Sequence, residues 1–424
     1  MERKITEELI KWKKNVERKP LLLYGAPGVG KTYSVIDFGK KEYKTIAYIS
    51  CNNNYELLNI AKKENALDKI ILKLSLLVGE TILKSDTLIV LDDVNDLDVV
   101  KMIKLFGKSE NEYHIIMITN VKDNVTKFKG DELQLKYMYQ VDFEEYLKAI
   151  GQVQLIDFIK DSYKNNKEIP FHQIALDNFD NYMMTGGSPE ACEEFIHNSE
   201  VLNLSSIHNK LISAYKNVTF YEPNMIDVQR SLEVLDIMPY QLLKNNKKFQ
   251  YGLMKEGSRK KEYESSINYL SNNNLILRSY KVSEVGVPLS KYKDVDSFKL
   301  YTYDTGVLFD SLHLSKIKFL TNDKLKSLLY ENSVAISIAD AGYQLYYYAS
   351  DGKAEVSFLV QSRKGDIVPI EIVNTSLSKA KSLGLLMKKY DIKNAIRVGE
   401  HNFSHKKGIK YIPVYATFCF KENL

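Results

Sequence analysis

Cysteine, tryptophan, proline and glycine are scarce in this chain of 424 residues, at 3, 1, 9 and 20. Cys51, Cys192 and Cys419 stand far apart with no CxxC spacing, which excludes a disulfide scaffold and argues against a zinc site. So few glycines and prolines exclude a collagen-like chain and advertise no long flexible linker. No apolar run approaches the roughly 18 residues that a membrane span needs. The charged start, MERKITEELI, lacks the apolar stretch of a secretory signal. The expectation is a cytoplasmic protein with no membrane contact.

What is present is ordinary globular material: 44% hydrophobic and 27% charged, enough for roughly two to four domains. The net charge of +5 is concentrated. Between Lys244 and Glu284 stand nine Lys or Arg and four Asp or Glu, so that stretch alone carries +5 and the rest is balanced.

Leu21–Tyr24 is a short apolar run of the buried-strand type, stopped by Gly25 and Pro27, and a helix is predicted from Lys31 to about Lys40. Lys44–Ser50, Thr87–Leu91 and His114–Thr119 read as further strands, with helical periodicity over 55–84. Apolar strands alternating with helices predict a parallel sheet covered on both faces. Residues 152–220 are predicted helical, with a break at Gly186-Gly187-Ser188-Pro189. Strands return at Leu345–Ala349, Glu355–Gln361, Ile367–Val373, Ala395–Val398 and Tyr411–Val414. The fold class is α/β.

Gly25, Ala26, Pro27, Gly28, Val29, Gly30, Lys31 and Thr32 fit GxxxxGK[ST] at every fixed position, between a predicted strand and a predicted helix. Glycines let the backbone wrap a phosphate, and the following helix adds its positive end. Lys31 is placed for the β- and γ-phosphates, and Thr32 offers a hydroxyl to Mg2+. Tyr33 completes the expected nucleotide-binding set. The cofactors expected are ATP or ADP with Mg2+; the alternative is a turn that merely joins strand to helix.

Leu88–Leu91 is an apolar strand that ends in Asp92 and Asp93. Carboxylates at the tip of a buried strand cannot belong to the core, because burying unpaired charge is costly. Asp92 is expected to hold Mg2+ together with Thr32, and Asp93 to polarise the attacking water. The alternative for Asp93 is a loop acid beside Asp96 and Asp98. Asn120 follows the strand 114–119 as a γ-phosphate sensor or else a turn former. Lys31, Asp92, Asp93 and Asn120 are therefore the candidate catalytic set. No arginine lies between Arg18 and Arg230. An arginine for the transferring phosphate must then come from Arg230, Arg259, a second subunit or a protein partner, or hydrolysis is slow. Lys127 or Lys129 could serve only as a point charge.

With these residues the chain resembles the prokaryotic AAA-type ATPases that carry a long C-terminal region of unclear function. The resemblance runs on through Asp142-Phe143-Glu144-Glu145-Tyr146-Leu147, Tyr182–Glu190, Ile237–Leu242, Phe298–Tyr301, Asp304-Thr305-Gly306, Glu331-Asn332, Ala354–Phe358 and Pro369–Ile372. It implies an AAA-like P-loop NTPase domain over 1–150 and a helical lid or connector over 151–220. It further implies a basic winged-helix middle over 221–305 and a degenerate restriction-endonuclease-like α/β domain over 306–424.

Relatives carry a glutamate in the place of Asp93. The nuclease core that such an end resembles needs two carboxylates for Mg2+ and a lysine. Here Ser357 and Val373 take the places of one carboxylate and the lysine, which leaves Glu371. Glu331 is expected nearby from a helix, and Glu355 about 7 Å from Ser357 along the strand. Lys353, Lys379 and Lys381 lie outside the strand of Glu371. The expectation is a fold without nuclease activity.

Glu262–Leu270 reads as an amphipathic helix, 271–274 as an Asn-rich turn and Leu275–Val282 as a strand, the recognition helix and wing of a winged helix. Lys247, Lys248, Arg259, Lys260 and Lys261 would neutralise phosphates, with Arg278 and Lys281 on the wing. DNA is the partner expected at 244–284, and a protein-contact surface is the alternative. His172, His208 and His313 are scattered and form no metal pair. The function expected is Mg-dependent hydrolysis of ATP to ADP and phosphate, coupled to DNA or protein interaction. The alternative is a nucleotide-dependent switch with little turnover.

Overall fold

Three apolar runs form the middle of a parallel sheet in the computed structural model of the chain. Strand β1 (Leu21–Tyr24) lies between β4 (His114–Thr119) and β5 (Gln134–Tyr137), and β3 (Thr87–Asp92) between β4 and β2 (Thr45–Ser50). The order β2-β3-β4-β1-β5 is parallel at every pairing. Strands β3 and β4 are buried at every residue, as strands with helices on both faces must be. The edge strand β2 alternates in burial along its second half. At the other edge, β5 reads Gln-Leu-Lys-Tyr, a run too short and too polar to announce a strand. The predicted helical stretch 55–84 is two helices, Tyr55–Lys63 and Leu67–Val78, the first capped by the Asn54 side chain and the second ended by Gly79.

The structure describes residues 1–107, 112–198, 203–221, 224–350, 355–373, 381–422 and 424. Lys353, Ala354 and Lys379 lie outside the described residues. The chain divides into two units, residues 1–140 with 272–274, and residues 141–271 with 275–424. The first passage from one compact unit to the other falls at Gln140–Val141. The helix Phe143–Ala149 opens with a capping box of Asp142 and Glu145, and its acids bond within the second unit. Asp142 is 3.0 Å from Lys421 and Glu144 is 2.8 Å from Lys160.

In the second unit the helices Val153–Asn165, His172–Thr185, Pro189–Asn198 and Leu204–Thr219 fill the region predicted helical. The break comes at Gly186, whose φ of +77° suits glycine and whose missing side chain makes room for the Asp304 carboxylate. Asp304 is fully buried and accepts from the N–H of Gly187 at 2.9 Å and of Val307 at 3.0 Å. Two motifs more than a hundred residues apart, Thr185–Pro189 and Asp304–Gly306, meet there, because a buried carboxylate needs donors.

The strands of this unit are β6 (Ile276–Val282), β7 (Lys293–Thr302), β8 (Tyr346–Ala349) and β9 (Glu355–Gln361). They continue with β10 (Ile367–Val373), β11 (Ala395–Gly399), β12 (Ser404–Lys406) and β13 (Ile409–Pro413). All eight make one mixed sheet in the order β12-β13-β11-β10-β9-β8-β6-β7. The expected divide at 305 is therefore not seen: β6 pairs with β8, Tyr280 opposite Tyr346, so the strand of the expected wing and the C-terminal strands share a sheet. Val282, Tyr346, Tyr348, Val356 and Leu359 pack with Leu383 and Leu386 into one apolar core of this unit. The helix before β6 runs Lys260–Asn272, longer than 262–270.

Candidate functional site

Beyond β1 the chain turns through the glycine-rich loop into the helix Lys31–Glu42. Gly30, just before the helix, has φ +89°, a left-handed conformation that a β-carbon disfavours. Lys31 is 5% exposed and donates to the carbonyl oxygens of Gly25 at 2.9 Å and Ala26 at 2.8 Å, and to Asn120 Oδ1 at 2.7 Å. Burial lowers its pKa to about 7, against the pull of Asp92 and Asp93. An anion beside that ammonium would stabilise its charge.

Thr32 Oγ1 donates to Asp92 Oδ2 at 2.8 Å. The same oxygen accepts from the Tyr48 hydroxyl at 2.9 Å, and Oδ1 accepts from the N–H of Asp93 at 2.9 Å. Three donors thus fix one carboxylate. Asp93 has φ +56°, a conformation that Asp tolerates better than most residues, and its Oδ1 accepts from Asn120 Nδ2 at 2.9 Å. Burial and then the Asp92 charge raise its pKa, offset in part by Lys31 and the Asn120 bond. Lys31, Thr32, Asp92, Asp93 and Asn120 come together because β1, β3 and β4 end at the same edge of the sheet, where open α/β folds bind ligands.

Pro27 and Gly28 lie on the same loop, and Ala26 and Val29 are buried in it. Tyr33 is 65% exposed and takes no part in these bonds. Two residues that no local pattern marks also reach the site. Tyr48 comes from β2, and Arg3 donates to the Val29 carbonyl at 2.7 Å.

Carboxylates of the second unit meet different partners. Glu371 is 2.9 Å from Arg397, and Ser357 Oγ accepts from the N–H of Ile372 at 3.3 Å. Glu331 accepts from Lys247 at 2.6 Å and from the Tyr301 hydroxyl at 2.7 Å. Lys299 lies 2.5 Å from Glu355 and 3.5 Å from Glu331. A lysine does reach these acids, but from β7, far from the Glu371 strand in sequence. Among the described residues no group of three or more His, Cys, Asp or Glu could hold a metal ion.

The basic stretch spends part of its charge internally. Lys247 serves Glu331, Lys260 lies 2.5 Å from Asp296, and Arg278 is buried over the Phe298 ring. Lys244, Lys255, Arg259 and Lys261 are exposed. Arg230 lies 3.6 Å from Asp227 and against the Tyr263 ring.

A parallel sheet with a glycine-rich loop after β1 and carboxylates after β3 defines a P-loop fold of the AAA type. Residues 17–147 match the family model of an AAA domain. Residues 176–318 and 326–417 match two domains of unknown function, DUF8612 and DUF4143. Residues 17–147 are thus similar to an AAA domain, and the two matches beyond it carry no function. No curated protein matches it.

Among solved structures, the Thermotoga maritima RuvB Holliday junction branch migration motor is 13% identical over 65% of this chain and 86% of its own, with a TM-score of 0.32. Drosophila ORC bound to DNA is 14% identical over 69% and 90%, with a TM-score of 0.26. Both likenesses are too slight to transfer a function. No helix of the described residues is long and apolar enough to cross a membrane.

Proposed function

We propose that the chain binds ATP with Mg2+ at Gly25–Thr32 and hydrolyses it to ADP and phosphate. The observation that carries this reading is the continuous hydrogen-bonded group of Lys31, Asn120 and Asp93 beside Thr32 and Asp92. Thr32 Oγ1 and the Asp92 carboxylate are hard oxygen donors 2.8 Å apart, the ligand chemistry that suits Mg2+. These two residues would hold the ion, which when bound neutralises phosphate charge. Lys31 exchanges its loop carbonyls for phosphate oxygens, and the loop N–H groups aim at the same anion. Asp93 orients the attacking water, and Asn120 holds Asp93 and touches the γ-phosphate.

The Asn120–Asp93 bond also supports the second reading, a switch that turns over slowly. While Asn120 occupies that oxygen, Asp93 has one fewer acceptor site for water. We further propose that the nucleotide state governs a contact of the second unit with DNA, or else with a protein. The exposed Lys244, Lys255, Arg259 and Lys261 support the DNA reading. A second subunit or partner supplies the arginine that the P-loop segment lacks. A cytoplasmic setting suits the three free thiols.

Phosphate release from Mg-ATP, measured with and without duplex DNA, tests the reading. Turnover that DNA accelerates supports it. Neither nucleotide binding nor phosphate release would sink it.

A further inference from the structure

We propose that Arg3 is a positioning residue that ties the phosphate loop to residues 137–140, where the chain first leaves the first unit, so that the loop's state is passed along the chain toward the second. The inference rests on reading the loop as a nucleotide site.

Arg3 is 6% exposed. Its Nη1 donates to the carbonyl of Val29 at 2.7 Å, and its Nη2 to the carbonyl of Tyr139 at 2.9 Å. One guanidinium therefore bridges two backbone segments that are remote in sequence. The bridge has a firm mount. Arg3 is the cap of the helix Lys4–Lys14, whose Ile5, Leu9 and Trp12 are buried. Trp12 Nε1 donates to the Lys19 carbonyl at 2.9 Å, and Glu8 lies 2.5 Å from Lys136 at the end of β5.

Both ends of the bridge matter to the site. Val29 precedes Gly30, and in a planar trans peptide the N–H points opposite to the carbonyl. Holding the Val29 carbonyl toward Arg3 therefore directs the Gly30 N–H away from Arg3. This fixes one peptide plane of the loop. At the other end, Tyr139 follows Met138, whose N–H donates to the Tyr24 carbonyl at 2.8 Å, the residue before Gly25. After Gln140 the chain enters the second unit. The segment that leaves the first unit is thus bonded at Met138 to the start of the loop and at Tyr139, through Arg3, to its end.

The fork geometry explains why this residue is an arginine. A guanidinium offers parallel donors to two carbonyls at once, whereas lysine is a point charge on a flexible stem. A shift of the Val29 carbonyl on phosphate binding pulls on Arg3, and Arg3 on Tyr139.

Amide hydrogen exchange on the full chain, with and without Mg-ADP, tests the proposal. In the parent, ADP slows exchange at 25–32 and also at 137–140. Arg3→Lys and Arg3→Gln keep the slowing at 25–32, lose it at 137–140 and bind ADP about tenfold more weakly, as loss of a charged hydrogen bond predicts. Arg3→Lys retains the charge, so its thermal midpoint and far-UV spectrum guard against simple misfolding. Slowing at 137–140 that persists in both variants overturns the proposal, as does slowing in the parent confined to 25–32. No slowing at 25–32 in the parent overturns the nucleotide reading, and this proposal with it.

Discussion

In the first unit, Asp92 and Asp93 are held by neutral donors: the Thr32 and Tyr48 hydroxyls and the Asn120 amide. In the second, Glu331, Glu355 and Glu371 are held by Lys247, Lys299 and Arg397. Neutral donors orient a carboxylate and leave its charge in place, so a cation is still attracted. Lysine and arginine orient it and cancel the charge as well. A carboxylate can therefore belong to a site for a charged ligand or to a structural ion pair. The partners decide which.

The largest effect expected lies at the ion pairs. Glu331 is 6% exposed, and removing one partner of a buried pair costs about 3–5 kcal/mol, because the other charge stays buried. Glu331→Gln should lower the urea midpoint accordingly. Burial alone would raise the Glu331 carboxyl, but Lys247 and Lys299 outweigh it and hold the pKa at about 2, below the ordinary 4.5. Its stabilisation is thus complete above that ordinary value and is lost as pH falls toward 2. Equal acid sensitivity in parent and variant over that window would remove the ion pair from the comparison.

Next comes Lys31. Lys31→Ala should reduce kcat/KM for ATP by about 10²–10³-fold, the usual cost of a lost transition-state donor. Its circular dichroism spectrum should match the parent's. A variant that hydrolyses ATP like the parent would show that the loop binds no nucleotide phosphate.

Asp93→Asn should cut kcat by about 10²-fold with KM little changed, because water activation acts in the transition state. Unchanged turnover would return Asp93 to the loop acids and erase half of the contrast.

The second unit should leave plasmid DNA uncut with Mg2+ or Mn2+, with or without ATP. Arg397 already balances Glu371, and Ser357 offers no charge. A nick that disappears in Glu371→Ala would place a working metal site among these acids.

The smallest effect concerns DNA. If the basic stretch binds it, Arg259→Ala with Lys261→Ala should flatten the slope of log affinity against log salt by about 2, nearly one unit for each phosphate contact. Adding Lys260→Ala should change little more, because Asp296 already holds that lysine. Binding that ignores salt would assign the surface to protein contacts.

The glycine-rich loop between strand and helix, the strand ending at Asp92, and the parallel class of the first sheet were legible in the sequence. Each is a local pattern, a fixed spacing or an apolar run within one element, and local geometry obeys it wherever the element lies. Strand β5 was not legible, because four residues at a sheet edge carry too little apolar signal. The continuity of β6 with β8 was also hidden, since pairing between remote strands leaves no trace in either strand's own periodicity. Residue types foretold which groups were charged, but only the tertiary structure decided which charges met. Lys299 on β7 reaches Glu331 on a helix and Glu355 on β9, Arg397 reaches Glu371, and Arg3 reaches the backbone carbonyls of Val29 and Tyr139. A buried charge must find its partner wherever the fold brings one within about 3 Å, and distance along the chain places no limit on that search.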